Sequence, residues 1–330
     1  MLAVIEISTW HYAGFLACVL IFLALDLGVF HKSAHVVKFK EAIGWTTLWV
    51  TLSFVFGLFI APALINGWEK QDTVEFITGY IIELSLSMDN VFVIALIFTY
   101  FRVPMQFQHR VLFWGILGAL VMRGALIAAG AAIIQQFSWT LYLFGAFLVF
   151  TGIKMMFVSD EGVHPDKNPV LRLAKKFFSV TPEFHGQKFS LREHGKLVLT
   201  PLALVLLMVE TTDLIFALDS IPAIFAITTK PFIVFTSNVF AILGLRSLYF
   251  VLAGAIDYFR YLKVGLSLVL VFIGVKMLVD PHGHDPKWFQ LKIESAMSLI
   301  IVGVIIATSM AMSVMAGRRE KRSRNGGKNS

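Results

Sequence analysis

Two carboxylates and an amide stand inside an apolar run, in Glu83-Leu-Ser-Leu-Ser-Met-Asp89-Asn90, which Ile, Leu, Val and Phe flank from Ile77 to Phe98. The pattern returns 130 residues later as Asp213-Leu-Ile-Phe-Ala-Leu-Asp219-Ser220, with Glu210 just before it. Acids in lipid-spanning segments are costly, and they mark ion or substrate paths. Positions seven apart share a helix face, so Glu83, Ser87 and Asn90 form one polar stripe and Glu210, Asp213 and Ser220 another. Asp89 and Asp219 stand about 120° round from the acid six residues earlier. Pro222 offers a way to bring Asp219 in, because proline removes the amide that would bond the Leu218 carbonyl. A break there would turn Asp219 and free a carbonyl for coordination, which membranes tolerate where backbone lines a cavity. Phe92 holds the matching place in the first pattern.

Charge counting indicates what could bind. Glu83, Asp89, Glu210, Asp213 and Asp219 face two similarly deep cations, Arg123 and Arg246, which leaves three negative charges in excess. A divalent cation or protons would offset most of that. The donors are carboxylate, amide and hydroxyl oxygens, with Cys18 the only cysteine, and oxygen sets suit hard ions such as Mn2+, Mg2+ or Ca2+ over Cu(I). Packing is the plainer reading for Arg123 and Arg246 taken singly, and for Met88 and Met208. Lys154 and Lys276 sit near span ends, where snorkelling is expected. The runs Asp160-Glu-Gly-Val-His164-Pro-Asp166 and Asp280-Pro-His282-Gly-His284-Asp285 follow two spans and could sample metal at a mouth, although solvated loops are the simpler reading. Asp26, before His31, reads as a helix-end residue.

The elements that must position these groups follow from composition. The 330 residues are 57% hydrophobic and 15% charged, with a mean hydropathy of +0.77, and several apolar runs reach the roughly 20 residues a spanning helix needs. This predicts an all-α polytopic membrane protein with about nine transmembrane helices, near 12–30, 44–65, 73–99, 110–134, 139–158, 198–227, 231–254, 262–279 and 293–316. The first is longer than a signal-peptide core and reads as a retained span. The net charge of +7 fits basic cytoplasmic loops rather than nucleic-acid binding. With the N-terminus outside, inward segments carry 20 Lys and Arg against four outside, and positive residues mark the cytoplasm.

The repeat extends beyond its acids. Met122-Arg123-Gly124 answers Leu245-Arg246-Ser247, and Gly152-Ile-Lys154-Met155 answers Gly274-Val-Lys276-Met277. The chain therefore divides into two N-terminal spans (1–72), a three-span repeat (73–158), a cytoplasmic connector (159–197), a second three-span repeat (198–279), a final span (280–316) and a basic tail (317–330). Three spans per unit, joined by a loop that does not cross, force the two units into opposite orientations. Inverted repeats of this kind place transporter sites near the midplane. The stretch 168–180 of the connector, with Leu171, Leu173, Phe177 and Phe178 among Arg172, Lys175 and Lys176, could lie along the membrane surface. The tail is expected to lack fixed structure.

On these residues the sequence resembles the TerC family, and its Alx-like members in particular. "ELSLSMDNVFVIALIF" is similar to the family's Glu-x-Ser-Leu-x-x-Asp-Asn-Val-Phe signature, and "VETTDLIFALDSIPAIFAITTKPFIVFTSNVFAILGLRSLYF" to its longest motif. "LALDLGVF" and "KEAIGWTTLWV" match as well, and Leu84 departs from a frequent Lys. The resemblance implies an exporter of Mn2+ in the bacterial cytoplasmic (inner) membrane, related to the LysE-type exporters, with Glu83, Asp89, Glu210, Asp213 and Asp219 important and Asn90 and Ser220 beside them. Mn2+ is then cargo, with no permanently bound cofactor, and protons are the expected exchange ion. Self-association into a homo-oligomer stays open. A membrane scaffold or assembly factor of the tellurite-resistance type is the alternative. An intramembrane enzyme lacks a nucleophile, base and His trio in one span, and no nucleotide-binding loop is present.

Overall fold

The acidic stripes sit on two long helices. In the computed structural model, which describes residues 7–25, 39–157, 168–193, 195–253, 261–281 and 290–326, α4 (Lys70–Tyr100) carries the first and α8 (Pro201–Phe225) the second. A capping box starts α4: Asp72 accepts from the Glu69 backbone N–H at 2.7 Å, and the Glu69 side chain accepts in return. It ends at Phe101, followed by Arg102 in the left-handed region (φ 52°), the usual way to stop a helix. The chain then turns into α5 (Met105–Gln136) and α6 (Thr140–Phe157).

The remaining spans are α1 (Thr9–Leu25), α2 (Phe39–Val55), α9 (Pro231–Ala253), α10 (Leu262–Val279) and α11 (Ser295–Gly326). From α2 a five-residue π-helical turn, Phe56–Ile60, leads into α3 (Ala61–Leu64), so the three form one continuous rod. Eight helices among the described residues are long and apolar enough to cross a membrane. The expected first span is represented by the 17-residue α1, and its predicted end, 26–30, lies outside the described residues. So do Asp26, His31, the Asp160–Asp166 run, and His282, His284 and Asp285.

Contacts fix the helix directions. Down α4 and α9, Asp72 meets Lys230, Gly79 faces Ser237 and Phe98 stacks on Tyr249, so the two run parallel. Along α5 and α8, Gly118 faces Glu210, Arg123 meets Asp213 and Gly130 faces Phe225, again parallel. The α6–α10 pair is antiparallel: a Cβ on Gly145 would lie 3.0 Å from the Gly274 carbonyl, and one on Gly152 would lie 2.9 Å from that of Ser267. The bundle closes around α9, whose residues from Phe232 to Tyr249 are all buried except the part-buried Phe235. Apolar side chains such as Leu96, Val121, Leu143 and Phe150 point outward, as a lipid-facing surface requires.

Three expectations are corrected. Pro222 does not break α8, which stays helical to Phe225; so close to the helix end the ring removes a single ladder bond, and buried Ala223, Ile224 and Phe225 hold the last turn. Lys276 does not snorkel: it is 2% exposed, and its ammonium donates to the Ala226 carbonyl at 3.1 Å. The tail is helical to Gly326 rather than structureless, since Arg, Lys and Glu are good helix formers.

The connector contains more than an amphipathic turn. The Asn168 side chain caps α7 (Pro169–Phe177) by accepting from the backbone N–H groups of Val170 and Leu171. Leu171 is buried, while Leu173 and Phe177 are exposed. Three short strands follow, β1 (Ser179–Val180), β2 (Ser190–Glu193) and β3 (Lys196–Leu199), in the order β1-β3-β2. This unit docks where α4 ends and α5 begins, through Arg110 to Gln187 (3.1 Å) and Phe107 against Phe184.

Candidate functional site

Arg123, on α5, is 1% exposed, and the two acidic helices meet at its guanidinium. Nη1 donates to Glu83 Oε1 of α4. Nε and Nη2 donate to Asp213 Oδ2 and Oδ1 of α8 at 3.2 and 2.9 Å, a two-point fork. Nη1 also donates to Asn238 Oδ1 of α9 at 2.8 Å and reaches Ser220 Oγ at 3.4 Å. One side chain thus ties four helices, and it engages the equivalent acid of each repeat. Ser87, one turn beyond Glu83, donates to Glu83 Oε1 at 3.4 Å.

The helix-face geometry explains who is absent. Glu83, Asp213 and Ser220 lie on the faces that turn inward to Arg123, and all three are buried. Asp89 and Asp219, about 120° round, are only half-buried. The charged neighbour that acts on Asp219 is Lys154 of α6. Asn90 is buried beside Val91. Glu210 is half-buried, its carboxylate lying against Gly118 of α5 where a Cβ would collide with it. Arg246, buried on α9, lines a cavity of about 20 Å³ together with Asp213, Gly115 and Ala119. Among the described residues, no three His, Cys, Asp or Glu side chains converge closely enough to hold a metal ion. In this conformation the structure brings together Glu83, Asp213, Ser220 and Arg123, and leaves Asp89, Glu210 and Asp219 outside that group.

Two sets of residues escaped the sequence reading. Asn238 holds Arg123 and is 0% exposed; a lone amide in an apolar run is the signal that could have found it. The second set is a charge cluster at the opposite end of α4 from the connector. There Lys230 pairs with Asp72 and lies 3.7 Å from Glu75. Burial works against the Lys230 charge, but the Asp72 hydrogen bond and the charges of Glu75, Asp72 and Glu69 outweigh it and hold the ammonium above the ordinary lysine range. Gln71 donates to Glu75 at 3.1 Å and to Ser295 of α11 at 3.3 Å. Lys276 of α10 stands 3.9 Å from Asp280. Asp72 and Glu75 fall at a span end, where acids look like ordinary helix starts.

Residues 68–321 match the integral membrane protein TerC family. An uncharacterised membrane protein of Myxococcus xanthus, STKORF319, is 49% identical over 310 residues, covering 93% of this chain and 92% of its own. Proteins named as candidate membrane-bound redox modulator Alx are 44% identical over 318 residues in Salmonella typhi (95% and 97% covered) and 42% over 320 residues in Escherichia coli K12 (96% and 97%). No solved structure matches. The matched region runs from the start of α4 into α11, enclosing Arg123 and every partner it touches, and by that family match and these full-length relatives the chain belongs to the TerC family of integral membrane proteins.

Proposed function

We propose that this protein is a secondary-active exporter of divalent cations with Mn2+ as cargo, exchanging it for protons at intramembrane carboxylates in the bacterial cytoplasmic membrane. It performs no covalent chemistry. The observation that carries the reading is the meeting of Glu83 and Asp213, equivalent acids of two sequence repeats, at one buried arginine partway along α4, α5 and α8. An ion path between inverted repeats calls for symmetric ligands at mid-depth. The helix directions support the inversion: α8 runs with α5 and therefore against α4, its counterpart in the repeat. The contacts support it too. Gly152 answers Gly274 and Gly145 answers Ser267, each 122 residues on, so exchanging the repeats maps the Gly145–Gly274 contact onto Ser267–Gly152. Cys18 is exposed and is the chain's only cysteine, so the residues offer no dithiol pair for the redox role in the Alx name.

Purified protein in liposomes is expected to move Mn2+, faster as the pH on the loading side rises, because a carboxylate must lose its proton to bind metal. An acidic opposite side should sustain the flux. Flux unchanged by pH and by a protonophore would remove proton exchange from the proposal, and liposomes that move no Mn2+ would remove transport.

Sidedness is the second expectation. The connector and Asn66 lie at opposite ends of α4, a rod of about 46 Å at 1.5 Å per residue. With the N-terminus outside, external thiol reagents should label a cysteine at exposed Asn66 and spare one at exposed Glu183, in a background lacking Cys18. Gly186 is avoided as the inner probe because its φ of +57° disfavours a side chain. The reverse labelling would invert the direction of transport.

A further inference from the structure

Arg123 does not satisfy its acids. One guanidinium serves two carboxylates, and Glu83 Oε2 and Asn238 Nδ2, both fully buried, have no hydrogen-bond partner among the described residues. Buried polar atoms of a purely structural network are normally all paired. The shortfall is one of charge as well, since Glu83, Asp213 and Arg123 together carry one net negative charge.

A second acid lies within reach of the same side chain. Glu210 is three residues before Asp213 on α8, about 4.5 Å along the axis, on the face that carries Asp213. Helical side chains lean toward the N-terminus of their own helix, and for Arg123 that direction leads toward Gly118, five residues earlier on α5. The Glu210 carboxylate lies against Gly118, in space that a Cβ would fill.

We propose, on the basis of the export reading, that Arg123 is a tethered counter-cation: it holds the cargo's place between Glu83 and Asp213 in the unloaded protein and shifts one turn to Glu210 when a divalent ion binds. Charge arithmetic favours a divalent ion. Fully ionised, the three acids and Arg123 sum to −2 when unloaded, to zero with a divalent ion and to −1 with a monovalent one, apart from Arg246 across the small cavity that Asp213 also lines. The loaded group contains two neutral sets, the ion with Glu83 and Asp213, and Arg123 with Glu210. Glu210 on this account is a positioning residue for Arg123 rather than a ligand, and Asn238 holds the arginine in its resting place.

Equilibrium binding of Mn2+ alone to the purified full chain tests this, using wild type, Arg123→Gln, Glu210→Gln and the double variant. Removing the competing cation should tighten Mn2+ binding by about tenfold or more. Glu210→Gln should weaken binding in the wild-type background and change nothing once Arg123 is gone, a non-additivity the four proteins measure directly. Equal or weaker binding by Arg123→Gln overturns the proposal, as does a Glu210→Gln penalty of the same size in both backgrounds, which would make Glu210 a direct ligand. Should Arg123→Gln not survive purification, Arg123→Lys keeps the charge but loses the two-point fork; it should bind Mn2+ more tightly than wild type, and equal or weaker binding overturns the proposal. Wild-type protein that binds no Mn2+ overturns the export reading itself, whereas wild-type binding with the wrong variant pattern overturns only the role of Arg123.

Discussion

Glu83→Gln and Asp213→Asn are expected to lower the amount of folded protein in the membrane, while Asp89→Asn and Asp219→Asn leave abundance near wild type and abolish Mn2+ efflux. The distinction comes from Arg123. Neutralising either acid keeps the charge balance but turns a charge-assisted hydrogen bond into an ordinary one at a guanidinium that is 1% exposed, and buried hydrogen bonds to charged groups are worth roughly 1.5–3 kcal/mol. Asp89 and Asp219 are half-buried and lie outside that group, so removing their charge leaves the Arg123 network intact and acts on the cargo. Membrane abundance by fluorescence-detected size exclusion and flux in inverted vesicles would separate the two classes. Loss of the Asp89 and Asp219 variants from the membrane would instead favour acids that serve packing.

The other large effect lies at the α6–α10 contact. Gly274→Val and Gly152→Val should each prevent close approach of these helices and sharply lower thermal stability. A Cβ on Gly274 would stand 2.8 Å from the Gly145 carbonyl oxygen and 2.8 Å from the Val149 nitrogen, both backbone atoms. On Gly152 it would stand 2.8 Å from Val271 Cγ2 and 2.9 Å from the Ser267 carbonyl. Overpacking costs about 1–3 kcal/mol even where side chains can adjust, and backbone adjusts less. Gly303→Ala is the control: no described residue lies within 4 Å of its added Cβ, and alanine improves helix propensity by up to about 1 kcal/mol. Melting curves that rank Gly303→Ala with or above wild type and the two valine variants well below it would bear this out; indifference at Gly274 would mean that the helices do not touch there.

Much of this architecture was legible in the chain because lipid leaves few choices. Apolar runs near the bilayer's length must be helices, and eight of the expected spans return as helices long enough to cross. The repeat was readable because acids are rare at such depth, and the stripe analysis separated Glu83 and Asp213 from Asp89 and Asp219 before any contact was known. Three kinds of information were hidden. The partner of the two acids could not be read, since helix order does not say which faces meet, and Arg123 looked as suited to packing as Arg246. Asn238 was missed because a single amide among Phe, Thr and Ser carries a weak signal. The short strands of the connector gave no alternating run long enough to notice; β1 has two residues. The expected break at Pro222 failed for a local reason, because the effect of a proline depends on how near the helix end it falls, and a sequence fixes that only to within a few residues.

Lys276 bears on how the chain enters the bilayer. A lysine that stays 2% exposed within an apolar helix would be an expensive passenger for a segment inserting alone. Its acceptor, the Ala226 carbonyl, lies at the end of α8, and the Glu75 charge acting on it lies at the start of α4. Both belong to helices synthesised before α10. Asp280 follows four residues later and arrives with the helix itself. The last helix of the second repeat therefore finds a backbone acceptor and one counter-charge on helices synthesised before it, at the point where a lone ammonium would be most costly to insert.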